Sequence, residues 1–422
     1  MTDILEKDRY AGTLTVGGHA LPLGFQLSAG ADGRLVFEPE PMDPRHYMQV
    51  VRAGGRPGQE REHFHLYAES TTGKSVSSES VYLLGHGSGA EGLTVNFGAN
   101  VATVTLPRLN PVARPCLQLW LRSFRSFRNS LVKTPLGDVA VYGADRPETQ
   151  DSLSGSLVVQ AATGSPGPTW REDADGLLKH LHQGMALAHG GRLQVPIVEY
   201  ASGDLTEAKF YAGQGSAAEF AVFPYLNHGP FIQALADRFF DKGPLPETLW
   251  TAMVWMHAET TFDEIRFFTG MTALEAIIES QLGERRGTII PKQTFAPLRS
   301  AIDQVIDGAD GLSKEAMAIL KGRIAGINSK SFGEKIDALF DEYGISRADF
   351  DGPTIVGLVR LRNEIVHRGT IPGDSSIWPQ IILVRELITR ILLSEIGFVG
   401  HYDCYISERH MRAFPECVPI SD

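Results

Sequence analysis

The periodicity of this chain changes near Pro230, and no other feature limits its fold as much. Before that point apolar residues come in short runs broken by Gly and Pro. The runs are residues 12–16, 34–38, 63–69, 81–85, 93–97, 101–106, 116–124, 139–142 and 157–161. Many short runs separated by turn residues predict a β-rich sandwich or barrel-like domain. Beyond Pro230 apolar residues recur every three to four positions. This predicts helices over 231–240, 247–282 (one long or two broken), 295–306, 314–327, 332–343, 354–368 and 377–396. Their short connections predict a helical bundle with mostly antiparallel neighbours.

The expected class is therefore α+β, with a β-rich N-terminal domain followed by an all-α C-terminal bundle. We divide the chain into a β-rich domain over 1–175, a mixed connecting region over 176–229, the bundle over 230–400 and a tail over 401–422. A Gly/Pro-rich stretch at 165–175 marks the first boundary. Within the connecting region, 177–189 reads as a helix, and 192–201 with 208–212 as a hairpin. A length of 422 residues gives each domain enough chain for its own core. The composition, 43% hydrophobic and 21% charged, is that of a soluble globular protein.

Location and partners are read from the same letters. Cys116, Cys404 and Cys417 have neither metal nor redox spacing, which fits a reducing compartment. The N-terminus lacks the apolar run of a signal peptide. The apolar segment 377–399 is interrupted by Arg385, Glu386 and Arg390, so it reads as a core helix and not a membrane span. We expect a cytoplasmic protein with no membrane contact. A formal charge of −11 argues against indiscriminate coating of nucleic acid, yet leaves room for a local cationic cleft.

Three patterns in the first half invite a functional reading. Gly87 to Gly92 spells GxGxxG, but a dinucleotide site needs a helix next. The following residues 93–97 read as a strand, so a hairpin loop is expected. Arg122, Arg125 and Arg128 alternate with Ser123, Phe124, Ser126 and Phe127. Such interleaving can hold phosphates while rings stack on bases, so these arginines are a candidate nucleic-acid or ligand contact. His63, His65, His180, His182 and His189 lack carboxylates or cysteines at ligand spacing, and no metal or cofactor is expected.

The second half holds the more specific pattern, Leu361-Arg362-Asn363-Glu364-Ile365-Val366-His367-Arg368-Gly369. Asp351 supplies a helix start, and Gly369, Pro372 and Gly373 a stop. Ile355, Leu358, Leu361 and Ile365 form the buried stripe. Glu364 lies one turn from Arg360 and from Arg368. Glu275 shares an apolar stripe with Met271, Ile278 and Leu282. A carboxylate so placed must reach solvent or a cation, for which Arg362 is a candidate.

The form Arg-Asn-x-x-x-His, spelled by Arg362, Asn363 and His367, resembles the motif of the HEPN superfamily of helical-bundle ribonucleases. The order of 266–279, then 331–343 with Lys335, then Arg362–His367, is similar to that in ApeA-like members, a group associated with bacterial defence against phage. The likeness covers roughly the last 175 residues, counted along the sequence. It implies a metal-independent endoribonuclease, a conditional toxin or effector in abortive infection, working as a homodimer or higher oligomer through its bundle. It also implies RNA as substrate, with tRNA by analogy, and a phage-derived trigger. The catalytic residues would be Arg362, Asn363 and His367, supported by Glu275, Arg360 and Arg368. The superfamily also has inactive relatives, which implies the alternative of a dimerisation or adaptor module with a ligand-binding β-domain.

The chemistry of these side chains is consistent with that role. RNA carries its own nucleophile, the 2′-hydroxyl beside the scissile phosphate. Imidazole can take or give the proton near neutrality, and guanidinium can hold phosphate oxygens in a bidentate grip. The products would be a 2′,3′-cyclic phosphate and a 5′-hydroxyl. Geometry adds a constraint. Five residues at ~100° each place Arg362 and His367 about 140° apart around a helix, whereas Asn363 and His367 share a face. Asn363 is therefore expected to orient the imidazole.

Overall fold

The computed structural model describes residues 6–54, 63–90, 92–145, 152–213, 221–223, 228–257, 260, 262–368 and 376–416. The chain divides into two compact units, Met1–Pro244 and Leu245–Asp422. Among the described residues they hold thirteen strands and ten helices.

The first unit is built on an antiparallel sheet of eleven strands. They are β1 (Asp8–Val16), β2 (His19–Ala29), β3 (Leu35–Pro39), β4 (Phe64–Ser70), β5 (Ser75–Gly89), β6 (Gly92–Ala99), β7 (Val101–Arg122), β8 (Ser130–Thr134), β9 (Gly137–Gly143), β10 (Leu153–Ala161) and β11 (Ile197–Tyr211). The main path runs β3-β2-β1-β4-β5-β7-β10-β9-β8, with β6 on β5 and β11 on β7. Alternating residues such as Tyr10, Leu14, Phe25, Phe64, Leu66, Val104 and Phe210 fill one core. Alternation with period two is what lets one face of each strand supply it.

Three segments of this unit differ from expectation. Residues 101–106 and 116–124 are not separate strands, because β7 runs unbroken through Pro107, Pro111 and Pro115. Those prolines fall where its register with β11 shifts, between the pairs Leu205–Pro107 and Ala201–Cys116. A residue without an N–H is tolerated where the ladder is already irregular. The expected hairpin of 192–201 and 208–212 is likewise one strand, β11, paired along β7. Helix α1 (Pro44–Ala53) has Asp43 as N-cap, accepting from the Arg45 N–H, and Pro44 in its first turn. The GxGxxG stretch behaves as expected: β5 and β6 pair antiparallel up to Gly89 and Gly92, so it joins two strands.

Helices α2 (Trp170–His189) and α3 (Gly229–Lys242) complete the unit. Thus the stretch 165–175 lies within this unit, and the helix expected to open the bundle belongs here too. Packing explains the second assignment. A Cβ on Gly184 of α2 would stand 2.4 Å from Leu235 Cδ1 of α3, so any side chain there would force Leu235 to shift. His180 Nε2 donates to the Leu235 carbonyl at 2.9 Å, and His182 Nε2 to that of Leu193 at 2.6 Å. The His228 ring lies 5.4 Å from Phe124, with Nδ1 3.4 Å from Ser126 Oγ. Burial pushes His180, His189 and His228 down to about 4. These histidines are side chains of a packed interior.

The second unit contains α4 (Glu247–Met256), α5 (Asp263–Arg286), α6 (Lys292–Asp307), α7 (Lys314–Ala325), α8 (Phe332–Tyr343), α9 (Gly352–Arg368) and α10 (Trp378–Ile396). The segment 247–282 is thus two helices. α5 is central, touching α4, α8, α9 and α10. Its buried residues, among them Phe267, Leu274, Ile277 and Ile278, point in several directions, as a helix surrounded by others requires. α6 and α7 pack on each other and keep Leu298, Val305 and Ile319 exposed. Their two ends are strapped together: Asn328 accepts from the Ile289 and Ile290 N–H groups through its carbonyl and side-chain oxygens, and its Nδ2 donates to the Ile290 carbonyl.

Residues 401–416, expected as a tail, instead form most of a hairpin of β12 (Gly400–Cys404) and β13 (His410–Phe414). Its anchor is Arg390 of α10, which is 1% exposed. Arg390 meets Asp349 at 2.6 Å, Glu386 at 2.8 Å and Glu416 at 3.3 Å, while Tyr402 donates to Glu386 at 2.5 Å. Burial alone would weaken the guanidinium's hold on its proton, but Glu386 and Asp349 raise its pKa. Cys417 lies outside the described residues. No described helix is long and apolar enough to cross a membrane.

Candidate functional site

Helix α9 begins as its sequence dictates, with Asp351 Oδ1 accepting the Thr354 N–H at 2.9 Å. Ile355, Leu358 and Ile365 are buried against neighbouring helices. The expected stop at Gly369, with Pro372 and Gly373, lies outside the described residues. On the opposite side of α9, Val356, Arg360, Asn363 and His367 follow one another at helical spacing, and all are exposed.

Arg362 turns the other way. Its Nη2 stands 2.8 Å from Glu275 Oε1 of α5, so the carboxylate on the apolar stripe has the cationic partner its position requires. Both side chains remain about a third exposed, at 31% and 33%. Arg362 Nη1 also donates to Asn363 Oδ1 at 3.2 Å. Here the geometry corrects an expectation. Among the described residues Asn363 steadies Arg362 and makes no hydrogen bond to His367. Arg362 and His367 are not brought to one face, as the angular separation between positions five apart demands.

His367 instead lines a groove of about 540 Å³. One wall is α9, with Val356, Val359, Arg360, Asn363 and Arg368; the other is the start of α8, with Ser331, Phe332 and Gly333. A second groove of about 750 Å³ lies on the far side of Arg360, Glu364 and Arg368, and those three residues border both. Arg360 pairs with Glu364 at 3.1 Å, but its side chain is 78% exposed, so the pair is weak and exchangeable. Arg368 is exposed at the helix end.

The α8 wall is the part that reading the motif alone misses. Ser331 caps α8 through a reciprocal box with Glu334, and this fixes where Phe332 emerges. The Ser-x-x-Glu signal is present in the sequence, whereas its approach to α9 depends on tertiary packing. Lys335 of the same helix pairs with Glu279 of α5.

The arginine cluster of the first unit does not form one surface. Arg122 is 3% exposed, donating through Nε and Nη2 to the Asp32 carbonyl and through Nη1 to Gln194. Arg125 donates to the Asp145 carbonyl, while Arg128 and Phe127 are exposed. Arg122 is the last residue of β7, and Ser123, with φ of 59°, follows where the strand ends. Among the described residues no group of three or more His, Cys, Asp or Glu side chains is placed to hold a metal ion.

No protein-family model and no solved structure matches the chain. Over 94 residues it is 29% identical to a bifunctional phosphoglucose/phosphomannose isomerase from Aeropyrum pernix. The match covers 22% of this chain and 28% of that protein, so the chain spans under a third of the relative's length.

Proposed function

We propose that the second unit is a HEPN-type bundle acting as a metal-independent endoribonuclease, and that the first, a sandwich or barrel-like domain, governs when or where it acts. The observation that carries this reading is the exposed face of α9. There His367 stands in an open groove beside Asn363, Arg360 and Arg368, with Arg362 held in place by Glu275. His367 removes the 2′-hydroxyl proton or protonates the leaving 5′-oxygen. The two guanidinium groups already bonded elsewhere still carry N–H donors for phosphate, since each guanidinium has five. The products are a 2′,3′-cyclic phosphate and a 5′-hydroxyl.

One chain supplies one His367, while the reaction uses a base and an acid. A symmetric dimer with two α9 faces opposed would supply the second histidine and set the two His367 grooves side by side. A nuclease of this kind is toxic in the cytoplasm, which supports a conditional effector role in anti-phage defence, with tRNA as a candidate substrate and a phage-derived ligand as trigger.

The test is incubation of the purified chain with cellular RNA in EDTA. Cleavage is expected, with His367→Ala and Arg362→Ala each losing ~100-fold or more, the scale for an acid–base or charge-stabilising group. Wild-type activity in a folded His367→Ala protein overturns the reading. The Arg362–Glu275 pair favours a second reading, an inactive dimerisation or adaptor module beside a ligand-binding β-domain, in which Arg362 only ties α9 to α5. Dimers by light scattering without RNA cleavage would select it.

A further inference from the structure

The groove beside His367 has a composition that the motif does not explain. Its apolar lining includes Phe332, Val356 and Val359, and its charged edge holds Arg360 and Arg368 with Glu364, which pairs with Arg360 at 3.1 Å and leaves the edge net cationic. Val356 is 67% exposed and so is open to contact from solvent. A volume near 540 Å³ lies within the ~300–1,000 Å³ range of small-ligand sites. The two arginines stand on the ridge shared with the second groove, so a chain crossing α9 passes from one groove to the other over them.

An apolar lining with a ring and a net cationic ridge is complementary to one unpaired nucleotide. The base has an apolar face that stacks on an aromatic side chain, and its phosphates need cations at the edge. A base inside a duplex offers no such face. Arg362 cannot serve as the ridge, because it does not line either groove and is bonded to Glu275.

We infer that the groove between α8 and α9 is a nucleotide subsite, in which Phe332 carries an unpaired base and Arg360 and Arg368 hold the phosphates that flank it. The subsite deepens the nuclease reading, on which it rests for its chemistry, and assigns strand positioning to Phe332, Arg360 and Arg368.

Binding is measured on the full chain by fluorescence anisotropy, with a labelled ten-nucleotide all-2′-deoxy strand that cannot be cleaved by 2′-hydroxyl attack. The same strand annealed to its complement is the comparison, and RNA cleavage is assayed in parallel. The single strand should bind at least ~10-fold more tightly than the duplex. Phe332→Ala should weaken it by ~10-fold or more, the scale of one base–aromatic stack, while Phe332→Trp retains it. Should Phe332→Ala fail to fold, Phe332→Leu, which keeps volume but not the ring, makes the same test. Arg360→Gln and Arg368→Gln should each flatten the salt dependence by ~0.7 in log–log slope, one phosphate contact on a single strand. Equal binding by Phe332→Ala or Phe332→Leu, equal affinity for duplex, or no binding overturns the subsite. Cleavage that survives a Phe332-independent result leaves the nuclease reading intact. Phe332-dependent binding without cleavage does the reverse.

Discussion

His180, His189 and His228 in the first unit and His367 in the second are the same side chain under opposite conditions. The first three are inside, two of them within hydrogen-bonding distance of Leu235 and Ser126 and one against Phe124. His367 is exposed in a groove. The arginines divide in the same way. Arg122 and Arg390 are buried among several partners, whereas Arg368 is open and Arg362 only partly committed. A buried polar group is bound into the fold, because losing a partner there leaves an unpaired charge or donor in a dry interior. An exposed one is free to meet a ligand. Burial, more than residue type, separates structural from functional candidates in this chain.

The largest effect that sharpens this contrast is the response to acid. A histidine held down to about 4 when folded, against 6.5 unfolded, binds fewer protons in the native state between those values. Its contribution to stability is full above pH 6.5 and is lost as pH falls toward 4. Each of the three contributes about 1.4 kcal/mol per pH unit of that window, so the first unit should unfold first on acidification. Urea unfolding monitored by hydrogen exchange reads α2 and α3 separately from α9. Protection in α2 and α3 that stays level between pH 6.5 and 4.5 breaks the comparison.

Next in size is Arg390→Met. Removing one partner from a buried ionic cluster costs about 3–5 kcal/mol, which lowers the melting temperature by roughly 10 °C. The matched change, Arg362→Met, removes a pair that is about a third exposed and should cost about 1 kcal/mol or less. Calorimetry on both variants decides the matter, and similar melting temperatures would show that burial does not rank these arginines.

The smallest expected effect is that of Glu275→Gln. It keeps the shape of the Arg362 partner but removes its charge, so stability should move by less than ~1 kcal/mol and RNA cleavage by only a few-fold. A loss as large as that of His367→Ala would show that the charge of Glu275 is itself needed to set Arg362 for the reaction.

Much of the second unit is legible in the sequence because its information is local. Capping residues such as Asp351 and Ser331, and stripes such as Ile355–Leu358–Ile365, act within a few turns of the chain. The Glu275–Arg362 pair can be anticipated because a carboxylate on an apolar stripe needs a cation. The first unit is less legible because strand pairing is non-local. β2 escapes a reading by runs since Pro22 and Gly24 interrupt it, yet its pairing with β3 starts only at Phe25. Pro22 therefore forfeits no ladder bond on that side. Helix α1 is announced by Asp43-Pro44 but is hidden among strands. The C-terminal hairpin also escapes, although Glu386 and Arg390, charged and one turn apart in an apolar helix, require partners from somewhere. At the site, the motif singles out His367, which the structure leaves exposed, but the facing wall from Phe332 comes from another helix and cannot be read from spacing.

The Asn328 strap has a consequence for how the chain can change. It brings the two ends of the α6–α7 segment together at Ile289–Ile290 and Asn328, so α5 and α8 are held in place whatever lies between them. The segment is a side branch on the connectivity of the bundle. Lengthening such a branch costs only ~0.6 kcal/mol per doubling of its length, since its ends already meet. Insertions, deletions or exchanges between residues 291 and 327 can therefore accumulate without moving α9 or its groove. Variation across descendants of this chain should concentrate there, leaving α8 and α9 to hold their spacing.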